Sequence, residues 1–107
     1  MKRVVITGAG TINALGHTVN ETFEAMREGR CGIAPVTFRD VERLSIQIGG
    51  QVRNFTPEDV FNRQQLVLYD RFTQFSLLAA KEALEQSGLV FTGELAATSG
   101  VVLGTAG

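Results

Sequence analysis

Three stretches of the chain carry apolar side chains in patterns typical of β-strands. Residues 3–7 form a β-branched run that stops at a glycine, which is typical of a strand buried on both faces. Residues 45–52 alternate in part between apolar and polar side chains, which favours a more exposed strand. Residues 99–103 repeat the buried pattern. The sequence therefore predicts three strands, and the first and last of them are buried.

A helix is predicted to follow the first strand. Thr18 and Glu21 have the T-x-x-E spacing of a capping box, in which each side chain satisfies a free backbone amide. Gly29 stands where a glycine commonly ends a helix. Three apolar side chains share one face at helical spacing: Val19, Phe23 and Met26.

The strongest helical pattern covers residues 71–87. Asp70 precedes it as a candidate N-cap, and Gly88 follows it as a stop. Apolar side chains cover most of its circumference, which predicts a helix buried on two sides. A shorter helix is predicted before it, with Thr56 as the cap and Pro57 at the first helical position. The side chains at helical intervals in the long helix are Phe72, Phe75, Leu78, Ala79 and Glu82, and the apolar surface is widened by Leu77, Ala80 and Leu84.

The predicted elements alternate in the order β-α-β-α-β. Such alternation favours parallel strands joined by right-handed crossovers, and therefore an α/β fold. We see no internal repeat, low-complexity segment or linker in the sequence, so residues 1–107 are predicted to belong to one domain.

Composition excludes several classes of function. Of the 107 residues, 44% are hydrophobic and 20% are charged, which is typical of a folded domain. The formal net charge is -1 and both signs are mixed, so neither nucleic acid nor a membrane is an expected partner. The lone cysteine, Cys31, allows no internal disulfide and favours a cytoplasmic location. The single histidine, His17, predicts no metal site.

The glycine-rich loop after the first predicted strand raises the possibility of a nucleotide-binding module. The dinucleotide fingerprint G-x-G-x-x-G requires a third glycine so that strand and helix pack closely, and Asn13 stands in that place. The helix also starts only after Thr18, too late for its N-terminus to meet a pyrophosphate at the loop. A structural loop is the favoured interpretation.

An ordered set of motifs resembles the opening of one enzyme family. The chain is similar to β-ketoacyl-[acyl-carrier-protein] synthases of the KAS II type, which are thiolase-like condensing enzymes. The resemblance covers the whole sequence but only about the first quarter of such an enzyme. It rests on R-V-V-I-T-G-A-G at residues 3–10, N-A-L-G at 13–16, G-R-C-G-I at 29–33, D-R-F-T-Q-F at 70–75 and L-G-T-A-G at 103–107. It implies the N-terminal portion of a thiolase-like layered fold, incomplete in these residues.

The resemblance also implies a reaction. The complete enzyme would elongate acyl chains with malonyl units carried by an acyl carrier protein, as a homodimer and without a cofactor. Its cysteine nucleophile and two histidines would lie beyond residue 107, so no catalytic residue is expected in this sequence. The glycine-rich strand end is expected to border the acyl cavity, which makes the candidate substrate-binding residues Gly104, Thr105, Ala106 and Gly107.

Three positions depart from the family pattern, and two other interpretations of the chain stay open. Asn13 and Cys31 stand where serine is common, and Tyr69 stands where methionine is common. Cys31 is expected to be structural, because it follows a helix C-terminus, whose partial negative charge disfavours a thiolate. The alternatives are a non-catalytic interaction subunit or remnant, and a small nucleotide-binding αβ module. The isolated chain is expected to be marginally stable and inactive.

Overall fold

The computed structural model describes residues 1–106. Helices dominate this part of the chain, and they are joined by two short 3₁₀ turns and one small sheet. In chain order the elements are α1 (Val19–Arg27), β1 (Ala34–Pro35), a 3₁₀ turn at Val41–Arg43, β2 (Ile48–Gly49), a 3₁₀ turn at Pro57–Asp59, α2 (Arg63–Leu68), α3 (Arg71–Ser87) and α4 (Gly93–Thr98).

Helix α1 begins and ends where local signals predict. The hydroxyl of Thr18 accepts a hydrogen bond from the amide of Glu21 at 3.1 Å, which confirms the cap. The Glu21 carboxylate accepts from the amide of His17 at 2.7 Å, one residue before the amide that a capping box would use. At the other end Gly29 adopts a left-handed φ of 69°. The amides of Gly29 and Arg30 then donate to the carbonyls of Met26 and Ala25, the pattern of a Schellman motif.

Helix α3 also has its predicted bounds. Gly88 ends it with a φ of 65°, and its amide donates to the carbonyls of Leu84 and Glu85. Asp70 occupies the N-cap position in an extended conformation, but its side chain caps no backbone amide. The expectation of a side-chain cap there is therefore wrong. The short element at Pro57–Asp59 starts after Thr56 as predicted, but it is a single 3₁₀ turn, and the side chain of Thr56 caps no backbone amide.

The middle one of the three predicted strands is shorter than predicted, and it pairs with a strand that was not predicted. Only Ile48–Gly49 of residues 45–52 is in a strand. It pairs antiparallel with Ala34–Pro35, so that Ala34 faces Gly49 and Pro35 faces Ile48. Antiparallel strands need no helical crossover, and the intervening residues turn back within one loop. The prediction of parallel strands in β-α-β-α-β order is therefore wrong for this pair.

The two outer strands are not formed within residues 1–106. Residues 3–7 and 99–103 have no regular secondary structure. A strand exists through a ladder of hydrogen bonds to a neighbour, and neither segment has such a neighbour in the described part of the chain. Their apolar side chains are exposed instead, with Val4 at 98% and Val102 at 101% of the reference area.

The N-terminal segment lies along one side of α3. Gly8 lies against the backbone of Ala83 and Ser87, and Gly10 lies against Ala79 and Ala83. The segment therefore advances toward the start of α3 as the chain runs forward.

The C-terminal segment lies along another side of the same helix. Ser99 and Val101 share a cleft with Leu84, whereas Leu103 and Ala106 share one with Phe72. This segment also advances toward the start of α3. The two extended segments thus run in the same direction along α3, but they do not pair, so the predicted parallel strands are not formed within residues 1–106.

Two short helices were not predicted. The side chain of Asn62 accepts from the amide of Gln65, and the side chain of Gln65 accepts from the amide of Asn62, each at 2.9 Å. This N-x-x-Q capping box starts α2 and is visible in the sequence. Helix α4 begins at Gly93, and its N-cap Thr92 makes no side-chain hydrogen bond.

The described chain is open rather than compact. Its radius of gyration is 17.0 Å, whereas a compact domain of this length would have about 13 Å. Its accessible surface is 8982 Å², which is about 3,000 Å² more than a compact monomer of this mass exposes. Among residues 1–106 the buried side chains are Ala25, Phe61 and Gln74. The predicted apolar faces of α1 and α3 are therefore largely uncovered.

Candidate functional site

The predicted substrate-binding residues lie at one end of α3. Gly104, Thr105 and Ala106 are exposed and line a cleft of about 490 Å³. Across the cleft stand Phe72 and Ser76, one turn apart on α3. The cleft is largely apolar, which suits a hydrocarbon chain more than a charged ligand. The fourth predicted residue, Gly107, lies outside the described residues.

The start of α3 is fixed by Arg71. Its guanidinium carbon lies 5.7 Å from the centre of the Phe55 ring and 5.1 Å from that of Phe75. The same group donates to the carbonyl of Val52 at 3.1 Å. A cation against two aromatic faces is attracted by their quadrupoles. Arg71 therefore ties Val52 and Phe55 to the helix that borders the cleft.

A buried glutamine supports the same region. Gln74 is 7% exposed, and its Nε2 donates to the carbonyl of Tyr69 at 3.1 Å. The bond spans the break between α2 and α3, where Tyr69 leaves the helical conformation. Phe61 packs its ring edge-on against Tyr69, with the centroids 5.8 Å apart. The D-R-F-T-Q-F motif thus has a structural role on the α2–α3 junction.

The glycine loop holds its amides toward α3 and not toward an open site. The amide of Ala9 donates to the side chain of Gln86 at 2.6 Å, and the amide of Thr11 donates to the carboxylate of Glu82 at 2.9 Å. A phosphate cradle requires free amides and no facing anion. The arrangement therefore disfavours the nucleotide-binding alternative, in agreement with the missing third glycine.

Asn13, the residue in place of that glycine, organises the rest of the loop. Its side-chain amide donates to the hydroxyls of Thr11 and Thr22, at 3.0 and 2.9 Å. Its side-chain oxygen accepts from the amide of Leu15 at 2.8 Å. A glycine could make none of these bonds, so Asn13 is a structural residue of the loop.

Cys31 and His17 border one open cleft, but their surroundings are structural. Cys31 is exposed, and its Sγ lies 3.8 Å from the carbonyl of Ile33. The Nε2 of His17 donates to the carbonyl of Arg53 at 2.7 Å. The Arg53 guanidinium in turn donates to the carbonyls of Gly32, Gln51 and Pro35. The cleft is thus built from backbone-directed bonds, in keeping with the structural role expected for Cys31.

Two features are absent from residues 1–106, a cluster of metal ligands and a membrane-spanning helix. Within residues 1–106 no three His, Cys, Asp or Glu side chains are grouped so that they could hold a metal ion. In the same part of the chain no helix combines the length and the apolar character needed to cross a membrane.

Sequence reasoning missed two residues that shape this region. Glu82 was counted only for its helical spacing, and Arg53 was not singled out. A signal for Glu82 was available, because a carboxylate on an otherwise apolar helix face requires a partner. The backbone contacts of Arg53 have no comparable signature in the sequence.

Comparisons with known proteins give one consistent answer. The family model described as beta-ketoacyl synthase, N-terminal domain, matches residues 1–107. The 3-oxoacyl-[acyl-carrier-protein] synthase 2 of Staphylococcus aureus (strain N315) is 36% identical over 104 residues, which cover 97% of this chain and 25% of that protein. The protein of the same name from Synechocystis sp. (strain ATCC 27184 / PCC 6803 / Kazusa) is 35% identical over 104 residues, with the same coverage.

A relative with a different name also matches nearly the whole chain. Nodulation protein E of Rhizobium sp. (strain N33) is 38% identical over 106 residues, which cover 99% of this chain and 26% of that protein. The chain spans about a quarter of the length of the curated relatives it matches. Because the family model covers every residue of the sequence, the chain belongs to the beta-ketoacyl synthase family and corresponds to its N-terminal domain.

Proposed function

We propose that the chain is part of a condensing acyltransferase that elongates acyl chains in fatty acid or polyketide biosynthesis. The observation that carries the proposal is the match of the beta-ketoacyl synthase N-terminal domain to residues 1–107. The names of relatives from Staphylococcus and Synechocystis support it, since both are 3-oxoacyl-[acyl-carrier-protein] synthases.

In the proposed reaction a cysteine thiolate takes the acyl group from an acyl carrier protein and releases the carrier thiol. A malonyl thioester then loses carbon dioxide, and the resulting carbanion attacks the acyl-enzyme thioester. A carbon–carbon bond forms, and the cysteine leaves as a thiolate. The nucleophilic cysteine and the two histidines that assist decarboxylation are proposed to lie outside residues 1–107, because neither Cys31 nor His17 stands in a motif of this chemistry.

The proposed role of this chain is to support and line the acyl cavity. Gly104, Thr105 and Ala106 border an apolar cleft with Phe72 on α3, and small residues there would let an acyl chain approach the backbone closely. Gly107 is included in the proposal from the sequence alone. The open surface supports the view that residues 1–107 are one portion of a thiolase-like layered domain, in which further strands pair with residues 3–7 and 99–103.

Acyl carrier protein and acyl and malonyl thioesters are the proposed partners of the complete enzyme, which we propose to be a homodimer. A cytoplasmic location is part of the proposal, because the lone Cys31 allows no internal disulfide, which suits a reducing compartment.

The first test is to sequence the DNA that follows the codon of Gly107. A continuous frame that encodes the nucleophilic cysteine and two histidines supports the proposal. The protein from that frame is then incubated with acyl and malonyl carrier protein, and the 3-oxoacyl product is measured by mass spectrometry. Substitution of the nucleophilic cysteine by alanine is the matched control, and it should abolish the product. Absence of condensation by a folded protein with all three residues would contradict the proposal.

A second candidate function is a non-catalytic interaction subunit. The excess surface of about 3,000 Å² favours it, because obligate interfaces bury areas of this size. A stop codon after Gly107, with co-purification of the chain and a subunit that carries the cysteine and histidines, would support this alternative against the first.

A further inference from the structure

The carboxylate of Glu82 joins two parts of the chain that are far apart in sequence. Its Oε2 accepts a hydrogen bond from the amide of Thr11 at 2.9 Å, and its Oε1 accepts one from the amide of Val19 at 2.8 Å. Thr11 belongs to the glycine loop, whereas Val19 is the first residue of α1. Glu82 itself is partly buried on α3. Each of its oxygens therefore has its own amide partner.

The amide of Val19 is one that a helix cannot satisfy by itself. The first amides of a helix have no carbonyl one turn earlier, and together they carry a partial positive charge. The hydroxyl of Thr18 satisfies the amide of Glu21. Since charge-assisted bonds from backbone amides to carboxylates are among the stronger ones in proteins, Glu82 is well suited to hold the amide of Val19.

We propose that Glu82 is a positioning residue, an internal anion that sets both the conformation of the glycine loop and the start of α1. The two parts are also joined through residues 12–18 and through the Asn13 side chain, which bonds to Thr11 and Thr22. Glu82 adds a tie to α3 by binding one amide from each part. The proposal does not depend on the catalytic function proposed above. It concerns the geometry of this chain alone.

The next glutamate on the same helix is a matched control. Glu85 lies one turn beyond Glu82, is exposed, and faces Lys81 at 3.8 Å. It accepts no side-chain hydrogen bond from a backbone amide in the described residues. Both glutamates border the cleft that also contains His17 and Phe55. A general effect of removing negative charge from α3 should therefore appear equally in variants of either residue.

The test is amide hydrogen exchange of the full 107-residue chain, measured residue by residue by NMR. In the Glu82→Ala variant, exchange at Thr11 and Val19 should rise by about tenfold or more relative to the amide of Gln74, because each loses a bond to a charged acceptor. The amide of Gln74 donates to the carbonyl of Asp70, the N-cap of α3. Its exchange rate measures general unfolding. The Glu85→Ala variant should leave the ratio unchanged.

Two further measurements separate positioning from general stability. Added formate should slow the exchange at both amides in Glu82→Ala, since it restores a carboxylate without restoring the side chain. The Glu82→Gln variant keeps the side-chain volume but has only one acceptor oxygen. The amide exchange rates of Thr11 and Val19 should therefore rise by different amounts. The proposal is overturned if Glu82→Ala and Glu85→Ala behave alike, if formate has no effect, or if Glu82→Gln leaves both amides at the native rate.

Discussion

The close approach of Gly10 to α3 allows a sharp test of how the glycine loop is held. A Cβ atom at this position would overlap the carbonyl oxygen of Ala79, and it would stand 2.8 Å from the carbonyl carbon of Ala79 and 3.0 Å from the nitrogen of Ala83. All three are backbone atoms of a helix, which cannot move aside as a flexible side chain can. The Gly10→Ala variant must therefore displace the loop from α3.

The magnitude of the expected destabilisation follows from two costs and one offset. Insertion of a methyl group into a packed contact costs about 1–3 kcal/mol. Displacement of the loop also weakens the bond from Thr11 to Glu82, and a hydrogen bond to a charged group contributes about 1.5–3 kcal/mol. The smaller entropy of alanine in the unfolded chain offsets about 0.4–1 kcal/mol of this. The expected net loss is about 3 kcal/mol in the free energy of unfolding.

Urea unfolding followed by circular dichroism at 222 nm measures this loss. Trimethylamine N-oxide at one fixed concentration should be present in every sample, because it strengthens folding and keeps a native baseline. Gly100→Ala is the matched control, since a Cβ there meets no atom within 4 Å and its φ is not left-handed. Its free energy of unfolding should change by less than about 1 kcal/mol. Equal stability of the two variants would refute the close-approach argument.

Further predictions concern single residues and the chain as a whole. Thr18→Ala should lower the free energy of unfolding by about 1 kcal/mol in the same urea assay, whereas Thr18→Ser should not, because only alanine lacks the capping oxygen. Gly88→Ala should cost about 1–2 kcal/mol, since its φ is left-handed, and a wild-type midpoint would contradict this. Cys31→Ser should change stability by less than about 0.5 kcal/mol, because the thiol is exposed. The 107-residue chain alone should melt at low temperature and bind a hydrophobic dye, and a cooperative high-temperature melt without dye binding would contradict the importance of its uncovered surface.

Helix ends could be predicted because their causes are local. Thr18, Gly29 and Gly88 act through the amides and carbonyls of their own turn, so the printed sequence contains the whole interaction. The same reasoning would have found α2, whose capping box from Asn62 to Gln65 was overlooked.

Strands could not be predicted in the same way because their partners are remote. The β-branched run at residues 3–7 has the composition of a buried strand, yet it has no neighbour to bond with among residues 1–106. Residues 45–52 contain a strand of only two residues, and its partner Ala34–Pro35 was not among the predicted strands.

The candidate site was predicted from resemblance rather than from chemistry. The residues at 104–107 carry no reactive group, so only the family motif pointed to them. Composition alone gave no indication that Phe72 faces Gly104 to Ala106 across a cleft. The sequence indicates that Glu82 needs a partner, but it does not identify the two amides that Glu82 binds, since they are 71 and 63 residues away.

That separation affects the chain while it is being synthesised. The amide of Ala9 finds its acceptor on Gln86, which is 77 residues later in the chain. At a ribosomal rate of about 5–20 residues per second, roughly 4–15 seconds pass between the synthesis of the two residues. Until Gln86 and the rest of α3 are made, the loop at residues 8–11 has no helix to bond to, and the apolar residues before it stay exposed. A chaperone that holds the exposed apolar residues 4–6 until α3 has been made should therefore raise the yield of folded protein.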